Sequence, residues 1–399
     1  MQKNRTQQIH RLRRLAMAVM FSFGLMSGLG WFISVPVLRH ASLASVLRSR
    51  FVSCERYAGA DFFEGTPRQR CYFKEVVGMV RSYGIASTIS ALRSYMRTSN
   101  GSYLQGMRCH ALAHEIGNAA ARFGTPSDVL MTQCIGLCDF GDGREPIDGI
   151  DLGCMNGAGH TWVLMSQNVT EASAKCSTPS IPEPARMGCY HGIGHGLREK
   201  NGNDFQRAVS ECLVMPNDEA RYQCAHAIFM EPMQNSEISI TPEKLLAYCA
   251  SLSGKVELSC FEFIGFTQYG LTNQAIHAFD ICDASPLDAR TKCRSRVGEA
   301  IYNRHHKIED ISQCDQLPDI HAPECTTGFI RTIIDNVNDT YGKRALAACS
   351  MLTSSLQEHC YRVTGEFLFL RFGDFVRKQA CQTVSGVASK HACMTSIAQ

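Results

Sequence analysis

The chain has 399 residues, 20 cysteines and a formal net charge of +3. Residues 1–50 hold eight Lys/Arg and no Asp/Glu, so the remainder carries 32 basic against 37 acidic residues, a formal charge of −5. An acidic body of about 350 residues argues against nucleic acid as a partner, and it is long enough for a large core or an extended repeat array.

At the N-terminus, Lys3, Arg5, Arg11, Arg13 and Arg14 precede an uncharged stretch over residues 15–38. At about 1.5 Å per residue this stretch makes a helix of roughly 36 Å, long enough to cross a bilayer with some tilt. The basic flank predicts a cytoplasmic tail (1–14), one transmembrane signal anchor (15–38) and a linker (39–52), with residues 53–399 outside the cytoplasm. A cleaved signal peptide competes with this, since Ser42-Leu43-Ala44 loosely fits a small-residue cleavage site. That site lies far from the charged region, which favours the anchor. The expectation is a single-pass cell-membrane protein with a periplasmic or extracellular body.

From Cys176 onward the cysteines fall into pairs: Cys176/Cys189, Cys212/Cys224, Cys249/Cys260, Cys282/Cys293, Cys314/Cys325, Cys349/Cys360 and Cys381/Cys393. The first members of successive pairs lie 32 to 37 residues apart. A period in that range signals stacked helical hairpins, and regular, even cysteine usage signals an oxidising compartment. Residues 278–302 illustrate one unit. A first helix ends near Cys282; Asp283, Ser285 and Pro286 supply turn chemistry; a second helix starts before Cys293 and buries Val297 and Ile301 at i and i+4. Cysteines at those two helix ends can meet across a tight turn.

Nearer the N-terminus, Cys54/Cys71 reads as an early pair, and Cys134/Cys154 follows the repeat phase. This leaves Cys109 and Cys138 for each other, a pairing that rests on elimination. The predicted fold is all-α: about ten αα-hairpins of roughly 34 residues each, stapled by disulfides and preceded by the transmembrane helix. The minority alternative is that some thiols are free or bind metal, given the zinc-like spacing Cys134-x3-Cys138. The architecture resembles disulfide-bridged Sel1-like and tetratricopeptide repeat proteins, although the cysteine spacing is longer and neither consensus is present. That resemblance implies a curved solenoid and no chemistry.

A glycine recurs five residues after the second cysteine, as in Gly159, Gly194, Gly265, Gly298 and Gly365. Glycine costs about 1 kcal/mol inside a helix, so its recurrence points to close helix–helix packing once per repeat. Histidines gather around this position. His110/His114 and His191/His195 are i, i+4 pairs on single helix faces, and His160 and His226 hold equivalent ranks in neighbouring repeats. Six of the 14 histidines thus occupy matching ranks in four consecutive second helices, and none does so later.

A lone histidine is usually structural, but six in register point to a metal site in residues 105–235. The candidate ligands are His110, His114, His160, His191, His195, His226 and Glu231, and Glu262 is a further ligand or partner. Zinc, iron or copper suits imidazole donors, and Glu115 is the candidate base of a metal-dependent hydrolase or oxidoreductase. The alternative is a non-catalytic scaffold binding a protein or envelope polymer on its concave face. Zincin, c-type haem, Walker A and nucleophile-elbow motifs are absent. Asn168-Val-Thr170 and Asn338-Asp-Thr340 fit glycosylation acceptors, and His305-His306 reads as a turn outside the repeat phase.

The segments Cys109-His-Ala-Leu-Ala-His114-Glu-Ile-Gly117, Cys189-Tyr-His-Gly-Ile-Gly-His195-Gly196 and Cys224-Ala-His226-Ala-Ile-Phe-Met-Glu231 also carry a resemblance. They are similar, in order, to those of uncharacterised bacterial extracytoplasmic Cys/His-rich helical-repeat proteins. Asn156 departs from the pattern. The resemblance implies a shared site and brings no activity with it.

Overall fold

The computed structural model describes residues 43–54, 56–57, 67–98, 107–135, 137, 152–179, 181–202, 204–230, 241–336 and 342–395. Helix α1 covers residues 43–54. It is followed by α2 (Pro67–Thr98), α3 (Met107–Arg122), α4 (Ser127–Cys134), α5 (Gly153–Ser166), α6 (Val169–Cys176) and α7 (Glu183–Asn201). Next come α8 (Phe205–Cys212), α9 (Asp218–Met230), α10 (Pro242–Ser251), α11 (Gly254–Thr272), α12 (Ala275–Asp283) and α13 (Leu287–His305). A 3-10 turn at Ile308–Ile311 leads into α14 (Ser312–Asp315), α15 (Ala322–Asn336), α16 (Lys343–Ser350), α17 (Ser354–Cys381) and α18 (Val387–Thr395).

These helices pair as the expected hairpins. α1 pairs with the first half of α2, and the second half of α2 with α3. Six hairpins from α4–α5 to α14–α15 follow, then α16 with the first half of α17, and the rest of α17 with α18. At Gly84 (φ 77, ψ 169) and Gly373 (φ 77, ψ 175), one hairpin's second helix runs into the next hairpin's first helix without a loop. Only glycine turns the chain there without strain. At three other junctions the helix ends in a left-handed cap. Gln167, Asn273 and His306 have φ near 55°, and each donates its N–H to the carbonyl four residues back. His306 is thus the C-cap of α13, which gives the expected turn a specific form.

The first helices are short. α4, α6 and α8 have eight residues each, below the roughly 12–15 at which an isolated helix is even marginal. What holds them is the staple and the packing. The bridges Cys54–Cys71, Cys134–Cys154, Cys176–Cys189, Cys212–Cys224, Cys249–Cys260, Cys282–Cys293, Cys314–Cys325, Cys349–Cys360 and Cys381–Cys393 all form, with Cα–Cα distances of 5.4 to 5.7 Å. Cys109 is disulfide-bonded too, and its expected partner Cys138 lies outside the described residues. No described cysteine is a free thiol, so the metal-thiolate alternative fails for them. In the chain-entropy model each small loop closed in this way contributes about 3 kcal/mol. The second helices α3, α5, α7, α9, α11, α13, α15 and α17 each pack on the next. One continuous core runs beneath them, through Leu112, Val163, Ile193, Ile228, Phe263, Ile301 and Phe329.

Three expectations are corrected. The spanning helix placed at residues 15–38 lies outside the described residues, and among the described residues no helix is long and apolar enough to cross a membrane. The two longest, α2 and α17, are pairs of amphipathic helices joined at a glycine kink and carry charges such as Lys74, Glu75, Arg81, Arg362 and Lys378. The membrane-spanning fold and the single-pass cell-membrane location are therefore withdrawn, while the disulfides remain consistent with an oxidising compartment. Residues 43–52, expected as linker, belong to α1, where Leu47 and Phe51 are fully buried. The Asn168 side chain is the N-cap of α6, accepting from the N–H groups of Thr170 (2.9 Å) and Glu171 (3.2 Å). Asn338-Asp-Thr340 lies outside the described residues.

Candidate functional site

The histidines stand on α3, α5, α7 and α9, and glycines decide how close those helices come. A Cβ on Gly117 would lie 1.9 Å from the Cys154 carbonyl oxygen, and one on Gly157 1.9 Å from that of His114. The same holds between α5 and α7, where Gly159 faces Cys189 O at 2.1 Å and Gly192 faces Asn156 O at 1.9 Å, and between α7 and α9, where Gly194 faces Cys224 O at 2.1 Å. The helices therefore meet backbone to backbone. Side chains flanking the glycines on one face are pressed together across the seams.

All six histidines enter one cluster. The rings of His114 and His160 are 5.7 Å apart, those of His191 and His195 4.8 Å, and those of His191 and His226 5.5 Å. His195 feels the charges of His114, His160 and His110, and His191 those of His195, His110 and His114. Burial is the first cause that pushes His195 down to about 3, and its histidine neighbours add to it. His191 and His226 are also held well below the usual histidine range, first by burial and then by the nearest imidazole. All three keep some surface in solvent. They are neutral imidazoles at neutral pH.

Polar neighbours engage particular ring nitrogens. His160 Nε2 lies 2.8 Å from the Glu199 carboxylate, which orients the ring as a donor through Nε2–H. The Asn118 amide donates to His114 Nδ1 at 3.2 Å and to Glu115 Oε1 at 3.3 Å, and Thr161 donates to Asn118 Oδ1 at 2.9 Å. Glu115 Oε1 is 3.9 Å from His114 Nδ1, so it accompanies His114 at the edge of the cluster.

The α9 end has a different chemistry. The Arg296 guanidinium, from α13, reaches across α11. It stacks 4.5 Å from the Phe263 ring, pairs with Glu299 and donates to His226 Nε2 at 3.3 Å. Glu262, the expected further ligand, is buried 4.0 Å from His226 Nε2. Lys292 holds it at 2.5 Å, and the Tyr222 hydroxyl donates to it at 3.3 Å. Burial and this carboxylate push the Tyr222 phenol upward. Glu231 lies outside the described residues.

The structure thus brings the six predicted histidines together, but not as a ready coordination shell. Among the described residues, no group of three or more His, Cys, Asp or Glu side chains is placed to hold a metal ion. Asn118 and Arg296 already engage the lone pairs of His114 Nδ1 and His226 Nε2, while Glu199 holds the His160 ring through Nε2–H. Glu199 could have been found from sequence, being one turn beyond His195 on the same face. Arg296 could not, since it comes from two repeats further on. Comparison with family models, curated proteins and solved structures finds no match for this chain.

Proposed function

We propose that this disulfide-stapled helical-repeat protein binds a transition-metal cation in the cluster formed by His110, His114, His160, His191, His195 and His226. The observation that carries the reading is the contact of imidazoles from four helices, with burial holding three of them in the neutral form that ligation requires. One orphaned atom adds support. Asn156 Oδ1 is a buried acceptor with no hydrogen-bond partner. Such an atom costs roughly 1–3 kcal/mol, and a bound cation or a water on it satisfies it. Imidazole donors without thiolate favour zinc, copper or iron over calcium or magnesium. No reaction step is assigned to Glu115, whose position beside Asn118 and His114 suits orientation of that ring. Elemental analysis of protein from metal-replete expression without chelators tests the reading. Bound metal in wild type, lost in His191→Ala/His195→Ala with the fold intact, supports it; metal-free wild type overturns it.

Partner binding draws on another surface. The stapled turns present exposed aliphatic side chains, including Leu213, Val214, Leu287, Ile320 and Val387, which a protein or envelope polymer could cover. The two readings do not exclude each other.

A further inference from the structure

We propose that Arg296 is a built-in competitor of the metal: its guanidinium occupies the ring nitrogen that His226 would offer, and His226 joins the ligand set only when Arg296 swings away. The inference rests on the metal-binding reading of the cluster.

The contact itself dictates the chemistry. A guanidinium has only N–H donors and is always charged. An Nη2–Nε2 distance of 3.3 Å therefore makes Nε2 the lone-pair nitrogen of His226, with that lone pair directed at Arg296. A cation seeking the same lone pair must displace an N–H donor and meet a fixed positive charge.

Arg296 is also held in place. Its guanidinium lies over the Phe263 ring at 4.5 Å, a cation–π contact on the intervening helix α11. Glu299, one turn along α13, pairs with it from the other side. A second cation, Lys292, stands on the neighbouring carboxylate Glu262. This corner of the cluster is already organised around bound cations that belong to the chain.

The cluster then has two parts. The histidines of α3, α5 and α7 form one part, where Asn118 and Glu199 hold the His114 and His160 rings. His226, whose ring touches His191 at 5.5 Å, is a reserve ligand. Arg296 sets the affinity of the site by deciding whether that reserve is available.

A double-mutant cycle with zinc as the probe tests this on the full chain. Affinity is read by competition against a chromophoric chelator for wild type, His226→Ala, Arg296→Gln and the double variant. Arg296→Gln should tighten binding by about tenfold, the gain from one released donor. His226→Ala should cost several times more affinity in the Arg296→Gln background than in wild type. If Arg296→Gln leaves affinity unchanged or lowers it, or if His226→Ala costs the same factor in both backgrounds, the competitor role is wrong while the metal reading stands. If neither wild type nor any variant binds zinc, both fall. Should Arg296→Gln fail to fold, Arg296→Met replaces it. It keeps an apolar stem against Phe263 but removes the charge and every N–H donor, and it should show the same coupling with His226.

Discussion

Gly157 brings the backbone of α5 onto the main-chain carbonyl of His114: a Cβ there would lie 1.9 Å from that oxygen. The contact is what places the His114 and His160 rings 5.7 Å apart. A glycine that looks like a helix defect in the sequence is a condition for the cluster.

Gly157→Ala should therefore destabilise the fold by about 1–3 kcal/mol through overpacking, and it should weaken metal binding by parting α3 from α5. Gly270→Ala is the control, because nothing lies within 4 Å of its added Cβ. It should be neutral or slightly stabilising. Chemical denaturation of both variants decides the matter; equal effects would mean that the seam tolerates separation.

Acidification should destabilise the protein through the cluster. His191, His195 and His226 have folded pKa values below the unfolded value of about 6.5. The unfolded chain therefore binds more protons than the folded one as pH falls below about 6.5. Stability is full above that pH and is lost progressively toward about 3, where His195 itself titrates. His191→Gln/His195→Gln should flatten the dependence between about pH 6.5 and 5, measured by urea midpoints. An unchanged slope would show that the rings are accessible to protons in the fold.

Glu199→Gln should leave the fold unchanged, because the side chain is 62% exposed. It should nonetheless weaken metal binding about tenfold, the usual lower range for losing a carboxylate that orients a ligating imidazole. Isothermal titration with zinc reads this directly. Unaltered affinity would remove His160 from the ligand set.

Non-reducing peptide mapping should recover the nine bridges of the described residues and, in addition, a peptide linking Cys109 to Cys138. Removing one staple, as in Cys282→Ala/Cys293→Ala, should cost about 3 kcal/mol and loosen packing on Gly265, whose Cβ position lies 2.4 Å from Cys282 Sγ. A melting temperature equal to wild type would show that packing alone holds the hairpins.

The sequence by itself determined the hairpin repeat, the pairing of the nine bridges among the described residues, and the helix faces on which His110, His114, His160, His191, His195 and His226 stand. These are local properties: cysteine spacing reports one turn, and i, i+4 spacing reports one face. The same local logic misled at residues 43–52, where Leu47 and Phe51 read as linker and proved to be core. Only the tertiary structure decided how near the helices come, which ring nitrogens are engaged, and that Arg296, 70 residues from His226 in the chain, closes one end of the cluster. Such facts depend on the rise and rotation from each repeat to the next, which arise from packing between hairpins and leave no periodic mark within any one of them.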